Sequence, residues 1–310
     1  MEFFRKFSLP IGAHKDVKTE LLFPELNKDY DDSGVVVANS EPGDDEGYYD
    51  RHVSELRVPT LACFPASPKN NCGGGVLVCP GGGYVCLAQD KEGYDIARYL
   101  NSIGFSAFVL NYRLPCEADG KDRAWGPLRD AQRAIRLIRK RAKEFGLKPD
   151  LLGIMGFSAG AHLAATASTL YENNAEKVAS LAKISAKPSF TVLIYPVLPM
   201  VECFESHEIC RNALLGKRPS QKMKELFSPN LQVNSQTPPA FLAQCNDDPV
   251  HVENSLLYYH ALRQANVPVE MHLYAEGSHG QGMRQKGIPY DFWPETLRNW
   301  LVSFVNHHKR

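Results

Sequence analysis

From about residue 75 onward the chain alternates short apolar runs with longer stretches in which apolar residues recur every three or four positions. VLVCP (76–80), FSAFVLNYRL (105–114), LLGIMGF (151–157), FTVLIYPV (190–197), AFLAQC (240–245) and VEMHLYA (269–275) read as buried strands. Between the second and third, Leu128, Ala131, Ile135, Ile138, Ala142 and Phe145 mark one face of a helix. Strand and helix in alternation predict an α/β fold, with a mostly parallel sheet and helices on both faces. Residues 1–50 are polar and acidic, and DYDDSG (29–34) and EPGDDEG (41–47) read as turns. They are expected to form an extension ahead of a single domain over 51–310. The alternation breaks between residues 202 and 236, which predicts an insertion over the C-terminal edge of the sheet, where such folds bind ligands.

Composition narrows the partners. A chain of 310 residues with 44% apolar content can bury one large core. Lys plus Arg and Asp plus Glu both total 35, so no net field draws it to nucleic acid or to an anionic membrane. The predicted helix carries Arg129, Arg133, Arg136, Arg139, Lys140, Arg141 and Lys143 opposite its apolar stripe, which reads as a solvated face. Eight cysteines show no CxxC pairing, and no H-E-x-x-H or similar ligand spacing is present, so neither metal nor other cofactor is expected. MEFFRKFSLPIGAHKD lacks the continuous apolar core of an export signal, no span approaches the ~20 apolar residues of a membrane helix, and no Asn-x-Ser/Thr occurs. A cytoplasmic protein is expected, or a secreted one if a leader has been removed.

The chemistry gathers around GIMGFSAGAH (153–162). Gly156-Phe157-Ser158-Ala159-Gly160 matches the G-x-S-x-G elbow and falls between a strand and a helix, where that motif presents its serine. An incidental serine in a glycine turn would look the same, so the remaining parts decide. A base should follow in chain order, and His279 in AEGSHGQG lies in a loop after the last strand. His162, His207, His251, His260, His272, His307 and His308 sit in helices, a strand, the insertion or the chain end. The acid should end the preceding strand, and AFLAQC runs into Asn246-Asp247-Asp248-Pro249. Asp247 is preferred as the carboxylate that orients the histidine; Asp248, before proline, suits a turn or cap. Pro80-Gly81-Gly82-Gly83-Tyr84 follows the first strand without the GK[ST] of a phosphate loop. The amides of Gly82 or Gly83, with that of Ala159, are expected to hold an oxyanion.

With these parts together, the chain resembles the α/β-hydrolase superfamily in its esterase/lipase branch, and within it the acetyl esterases described as acetylxylan-esterase-like. The likeness runs from about Val58 to the C-terminus and is carried by CPGGGYVCLAQDKEGYDIARYLNSIGFSAFVLNYRLP, MGFSAGAHLA, LFSPNLQV, PPAFLAQCNDDPVHVENSLLYYHAL and VPVEMHLYAEGSHGQGMR. It implies hydrolysis of a short-chain acyl ester, acetyl above all, on a small molecule or an oligosaccharide such as acetylated xylan fragments. It also implies that the first aspartate of the Asp-Asp pair is the catalytic one. An amidase or peptidase on the same three residues, or a binding protein that has kept the fold, are the alternatives. Two positions depart from the pattern. Pro80 stands where many relatives have histidine, so the glycine loop needs another support, and Ser278 stands where most close relatives have glycine.

Overall fold

The computed structural model describes residues 17–23, 36–39, 50–173, 176–203 and 207–308. The turns expected at 29–34 and 41–47 lie outside them. Four strands precede the first one expected from the pattern: β1 (Lys18–Leu21), β2 (Val36–Asn39), β3 (Arg51–Ser54) and β4 (Thr60–Phe64). Then come β5 (Gly75–Cys79), β6 (Cys86–Ala88), α1 (Asp95–Ser102), β7 (Ser106–Asn111), α2 (Trp125–Lys140), β8 (Leu152–Phe157), α3 (Ala159–Thr169) and α4 (Ala179–Ala182). The chain continues through β9 (Thr191–Ile194), α5 (Glu208–Leu215), α6 (Gln221–Leu226), α7 (Pro229–Gln232), β10 (Ala240–Cys245), α8 (Glu253–Gln264), β11 (Val269–Tyr274) and α9 (Trp293–His307).

The main sheet has eight strands in the order β1-β4-β7-β5-β8-β9-β10-β11. From β7 to β11 every neighbouring pair is parallel, while β1 and β4 run antiparallel at one edge. The expected extension therefore contributes to the sheet, because Lys18–Leu21 pairs with residues 60–63 of β4. Its four residues are too few and too polar for a periodicity argument; Leu22, just beyond, is fully buried. Strands β2, β3 and β6 form a separate antiparallel sheet of three.

Strands β5, β8, β9 and β10 are buried along their whole length, as uninterrupted apolar runs require. Helices α1 and α9 cover one face, packing Tyr99, Trp293 and Leu297 with Val109 and Met155. Helices α2, α3 and α8 cover the other, packing Ile135, Ala164 and Tyr258 with Ile154 and Leu242. The basic side of α2 departs from expectation. Arg133 and Arg136 are buried beneath residues 176–184, where Arg136 Nε donates to the Ile184 carbonyl at 3.0 Å and Arg133 pairs with Glu176 at 3.3 Å. Their long apolar stems let charged residues take part in packing.

The crossovers position the site. From β5 the chain passes through α1 to β7 on one side, then returns through α2 to β8 on the other. That reversal makes a crevice beyond the carboxyl ends of β5 and β8. Among the described residues no helix is long and apolar enough to cross a membrane.

Candidate active site

Ser158 occupies the turn between β8 and α3 with φ 50° and ψ −119°, a strained conformation for a residue with a side chain. The flanking glycines have a steric reason. A Cβ on Gly156 would stand 2.1 Å from the Gly160 carbonyl oxygen, and one on Gly160 would stand 2.1 Å from that of Cys79 and 2.4 Å from that of Pro80. The elbow is thus pressed backbone to backbone against the end of β5. Ser158 N–H donates to the Ile194 carbonyl at 3.1 Å, tying the turn to β9 as well.

Ser158 Oγ lies 2.9 Å from His279 Nε2, and His279 Nδ1 lies 2.9 Å from both carboxylate oxygens of Asp248. With Nδ1–H donating to Asp248, Nε2 is left to accept the serine proton. The expectation for Asp247 is corrected by this geometry. Asp247 is exposed and instead accepts the backbone N–H of Ser278 at 2.8 Å and of Gly277 at 3.2 Å. Those two bonds, the Ser278 amide foremost, hold its carboxyl below the usual range. Asp248 has a fully buried side chain, and Val250 N–H donates to its Oδ1 at 2.7 Å. The turn chemistry expected before Pro249 is present; it aims this carboxylate inward, and the same oxygens reach the histidine. Both acids serve the His279 loop, one from outside and one from within.

The glycine loop is held by contacts that replace the missing histidine. Tyr112 O–H donates to the Pro80 carbonyl at 2.8 Å, and Gly81 N–H donates to Glu92 Oε2 at 2.7 Å. Gly82 and Gly83 both take positive φ, at 125° and 65°, and a Cβ on Gly82 would collide with the Cys86 carbonyl at 2.2 Å. Among the described residues the amides of Gly82, Gly83 and Ala159 donate to nothing within the chain. Ala159 is the first residue of α3, so its N–H also stands at the positive end of that helix.

Sequence reasoning passed over several side chains that the structure brings here. His162 is fully buried: Nε2–H donates to the Phe227 carbonyl at 2.7 Å and Nδ1 accepts Tyr84 O–H at 2.8 Å, linking the glycine loop to the insertion. Burial pushes its pKa down to about 4. His207 caps α5, its Nδ1 accepting Cys210 N–H at 3.3 Å. Tyr195, at φ 38°, sets its ring edge-on to the His279 imidazole with centroids 4.9 Å apart. Tyr195 and Glu92 carried no motif, so nothing in the linear pattern singled them out. Among the described residues no three His, Cys, Asp or Glu side chains converge as a metal site.

A doubly covered, mostly parallel sheet with a serine elbow, a following histidine and a carboxylate between them in chain order defines an α/β-hydrolase. Comparison with known proteins is more specific. The BD-FAE family model matches residues 64–262, and the chain belongs to that family. It is 36% identical over 249 residues to an acetylxylan esterase of Xylanibacter ruminicola, an alignment covering 78% of this chain and 48% of that protein. It is 33% identical to endo-1,4-beta-xylanase B of Butyrivibrio fibrisolvens, covering 76% of this chain and 36% of that one. The chain thus spans half or less of the length of these curated relatives. Among solved structures, the acetyl ester-xyloside bifunctional hydrolase of Caldicellulosiruptor lactoaceticus superposes with a TM-score of 0.72 at 37% identity, covering 80% of this chain and 88% of that one.

Proposed function

We propose that the chain is a serine carboxylesterase that removes short acyl groups, acetyl above all, from carbohydrate esters. The observation that carries this is the unbroken line from Ser158 Oγ through His279 to Asp248, at 2.9 Å for each step. Ser158 Oγ attacks the ester carbonyl while His279 Nε2 takes its proton. Asp248 holds the imidazole in the required tautomer and stabilises the imidazolium. The oxyanion that forms is met by the amides of Ala159 and of Gly82 or Gly83. Its collapse expels the alcohol, which takes the proton back from His279 and leaves an acyl-serine. Water, deprotonated in turn by His279, then releases the carboxylic acid and restores Ser158.

The carbohydrate assignment is supported by the relatives named for acetylxylan and xyloside substrates. Residues 207–236 serve as a cap over the site: a Cβ on Gly83 would stand 4.0 Å from the sulfur of Cys210 in α5, and Phe227 is bonded to His162. The catalytic domain comprises residues 51–308 together with strands β1 and β2 from the segment before them, and its eight cysteines, present as free thiols, suit a reducing, cytoplasmic setting. No partner other than the ester substrate is invoked.

The test is acetate release from acetylated xylo-oligosaccharides, run beside a short-to-long acyl ester series and matched amides. Ser158→Ala is expected to lower kcat by roughly 10^4-fold or more. Retention of near-native hydrolysis by that variant would remove the nucleophile, and cleavage confined to simple esters or to amides would remove the substrate class.

A further inference from the structure

Glu92 stands outside the serine-histidine-aspartate line, yet its buried carboxyl joins the loops that supply that line. Its Oε2 accepts the N–H of Gly81 at 2.7 Å, and its Oε1 accepts the O–H of Tyr195 at 2.9 Å. The Tyr195 oxygen in turn accepts the N–H of Gly282 at 3.1 Å, three residues beyond His279. One side chain therefore ties the glycine loop after β5 to the end of β9 and, through Tyr195, to the histidine loop after β11. The residue arises in a π-helical turn, Asp90–Tyr94, a rare local form that recurs at functional sites.

A filler role fits poorly. Burying a carboxyl is costly, and a well-packed apolar side chain of similar volume is often the more stabilising choice. Gly81 N–H and Tyr195 O–H both donate to Glu92, so a carboxylate satisfies the two at once, whereas an amide, with a single acceptor oxygen, would turn its NH2 toward the tyrosine and leave that hydroxyl's proton without its acceptor. On balance burial raises the carboxyl's pKa, and the neighbouring Lys91 with the Tyr195 and Gly81 bonds offsets part of that rise.

We propose that Glu92 is a positioning residue for ester hydrolysis, clamping the glycine loop to the histidine loop so that the oxyanion amides and His279 address the same carbonyl. The inference rests on the serine-esterase reading above. It is tested by measuring kcat and KM on a short acyl ester for Glu92→Gln and Tyr195→Phe, beside the wild type and Ser158→Ala. Affinity for a trifluoromethyl ketone, which adds to an active serine as an oxyanion, is measured on the Glu92 and Tyr195 variants and the wild type.

Glu92→Gln is expected to lower kcat by about ten- to a hundred-fold with KM within about twofold, and to weaken the ketone in parallel. Tyr195→Phe should show a smaller loss of the same kind. A folded Glu92→Gln protein with native kcat and native ketone affinity would overturn the clamp, as would a loss that merely follows the folded fraction. Should that variant fail to fold, Tyr195→Phe decides, and native kcat there overturns the proposal. Hydrolysis that survives Ser158→Ala would sink the esterase reading together with this one, an outcome distinct from a serine-dependent enzyme indifferent to Glu92.

Discussion

The two ends of the same parallel strands are built on opposite principles. At the N-terminal end, Pro149, Pro188, Pro238, Pro239 and Pro268 enter β8, β9, β10 and β11 and line a groove of about 660 Å³. Asn266 is the one side-chain-bearing residue lining that groove with positive φ. At the C-terminal end, Tyr84, Ser158, Tyr195 and Ser278 all take positive φ within the loops of the proposed site. Asp248 and Glu92 are buried there as well. A proline-lined groove marks one end and stored strain marks the other. Strain persists where the surroundings over-determine the backbone, and the proposed chemistry lies with the strain.

The largest expected effect tests whether the two neighbouring acids after β10, one buried and one exposed, have distinct work. Asp248→Asn should reduce kcat by about 10^4-fold, because the amide stabilises the wrong imidazole tautomer. Asp247→Asn keeps an acceptor for the Ser278 amide and should cost less than about tenfold. Lys187→Ala, from the groove at the other end, serves as the reference and should leave kcat native. Steady-state kinetics on the three variants decide, and a greater loss at Asp247 would restore the assignment that the geometry rejects.

Next in size is Gly160→Ala, whose added methyl group meets two backbone carbonyls rather than a side chain that can turn away. The elbow and the glycine loop must separate, at about 1–3 kcal/mol of stability and roughly a hundred-fold in kcat. Thermal denaturation and kinetics read the two losses, and a native-like variant would show that the loops are not in register through this contact.

The smallest effect concerns stability alone. His162 is neutral in the folded chain, its pKa pushed down to about 4 by burial, while an unfolded histidine titrates near about 6.5. Between these values the unfolded chain binds a proton that the folded chain excludes. His162 should therefore cost nothing above pH ~6.5, and stability should fall as pH drops toward 4 by up to about 1.4 kcal/mol per unit. His162→Gln should flatten that stretch of a stability profile measured by chemical denaturation; an unchanged slope would assign the acid sensitivity elsewhere.

Much of this was legible because both the sheet and the elbow are local patterns. Five of the six expected strands are buried apolar runs with turn residues at their ends, and Gly156, Ser158 and Gly160 announce their own geometry; the sixth, β11, was expected to be buried but lies half exposed at the edge of the sheet, with a neighbour on one side only. Asp247 and Asp248 could not be separated by sequence, since the decision lies in which side chain the turn after β10 directs inward. Strand β1 was missed because four half-polar residues gain their structure from β4, not from themselves. Arg133 and Arg136 were placed in solvent because periodicity finds a helix's apolar stripe but not a later segment that folds over the opposite side. Ser278 was noticed as a departure, and its φ of 60° explains why glycine suits that position.

The order of the strands has a consequence for a chain that is being synthesised. Ser158 emerges 121 residues ahead of the histidine that would activate it, which follows β11, the last strand of the main sheet in chain order, and the acid lies between them. Until β11 pairs with β10, the nascent chain carries a serine hydroxyl no more reactive than any other. In the proposed mechanism nucleophilicity arrives with the closing of the sheet, so a product truncated before His279 is chemically silent toward the esters around it.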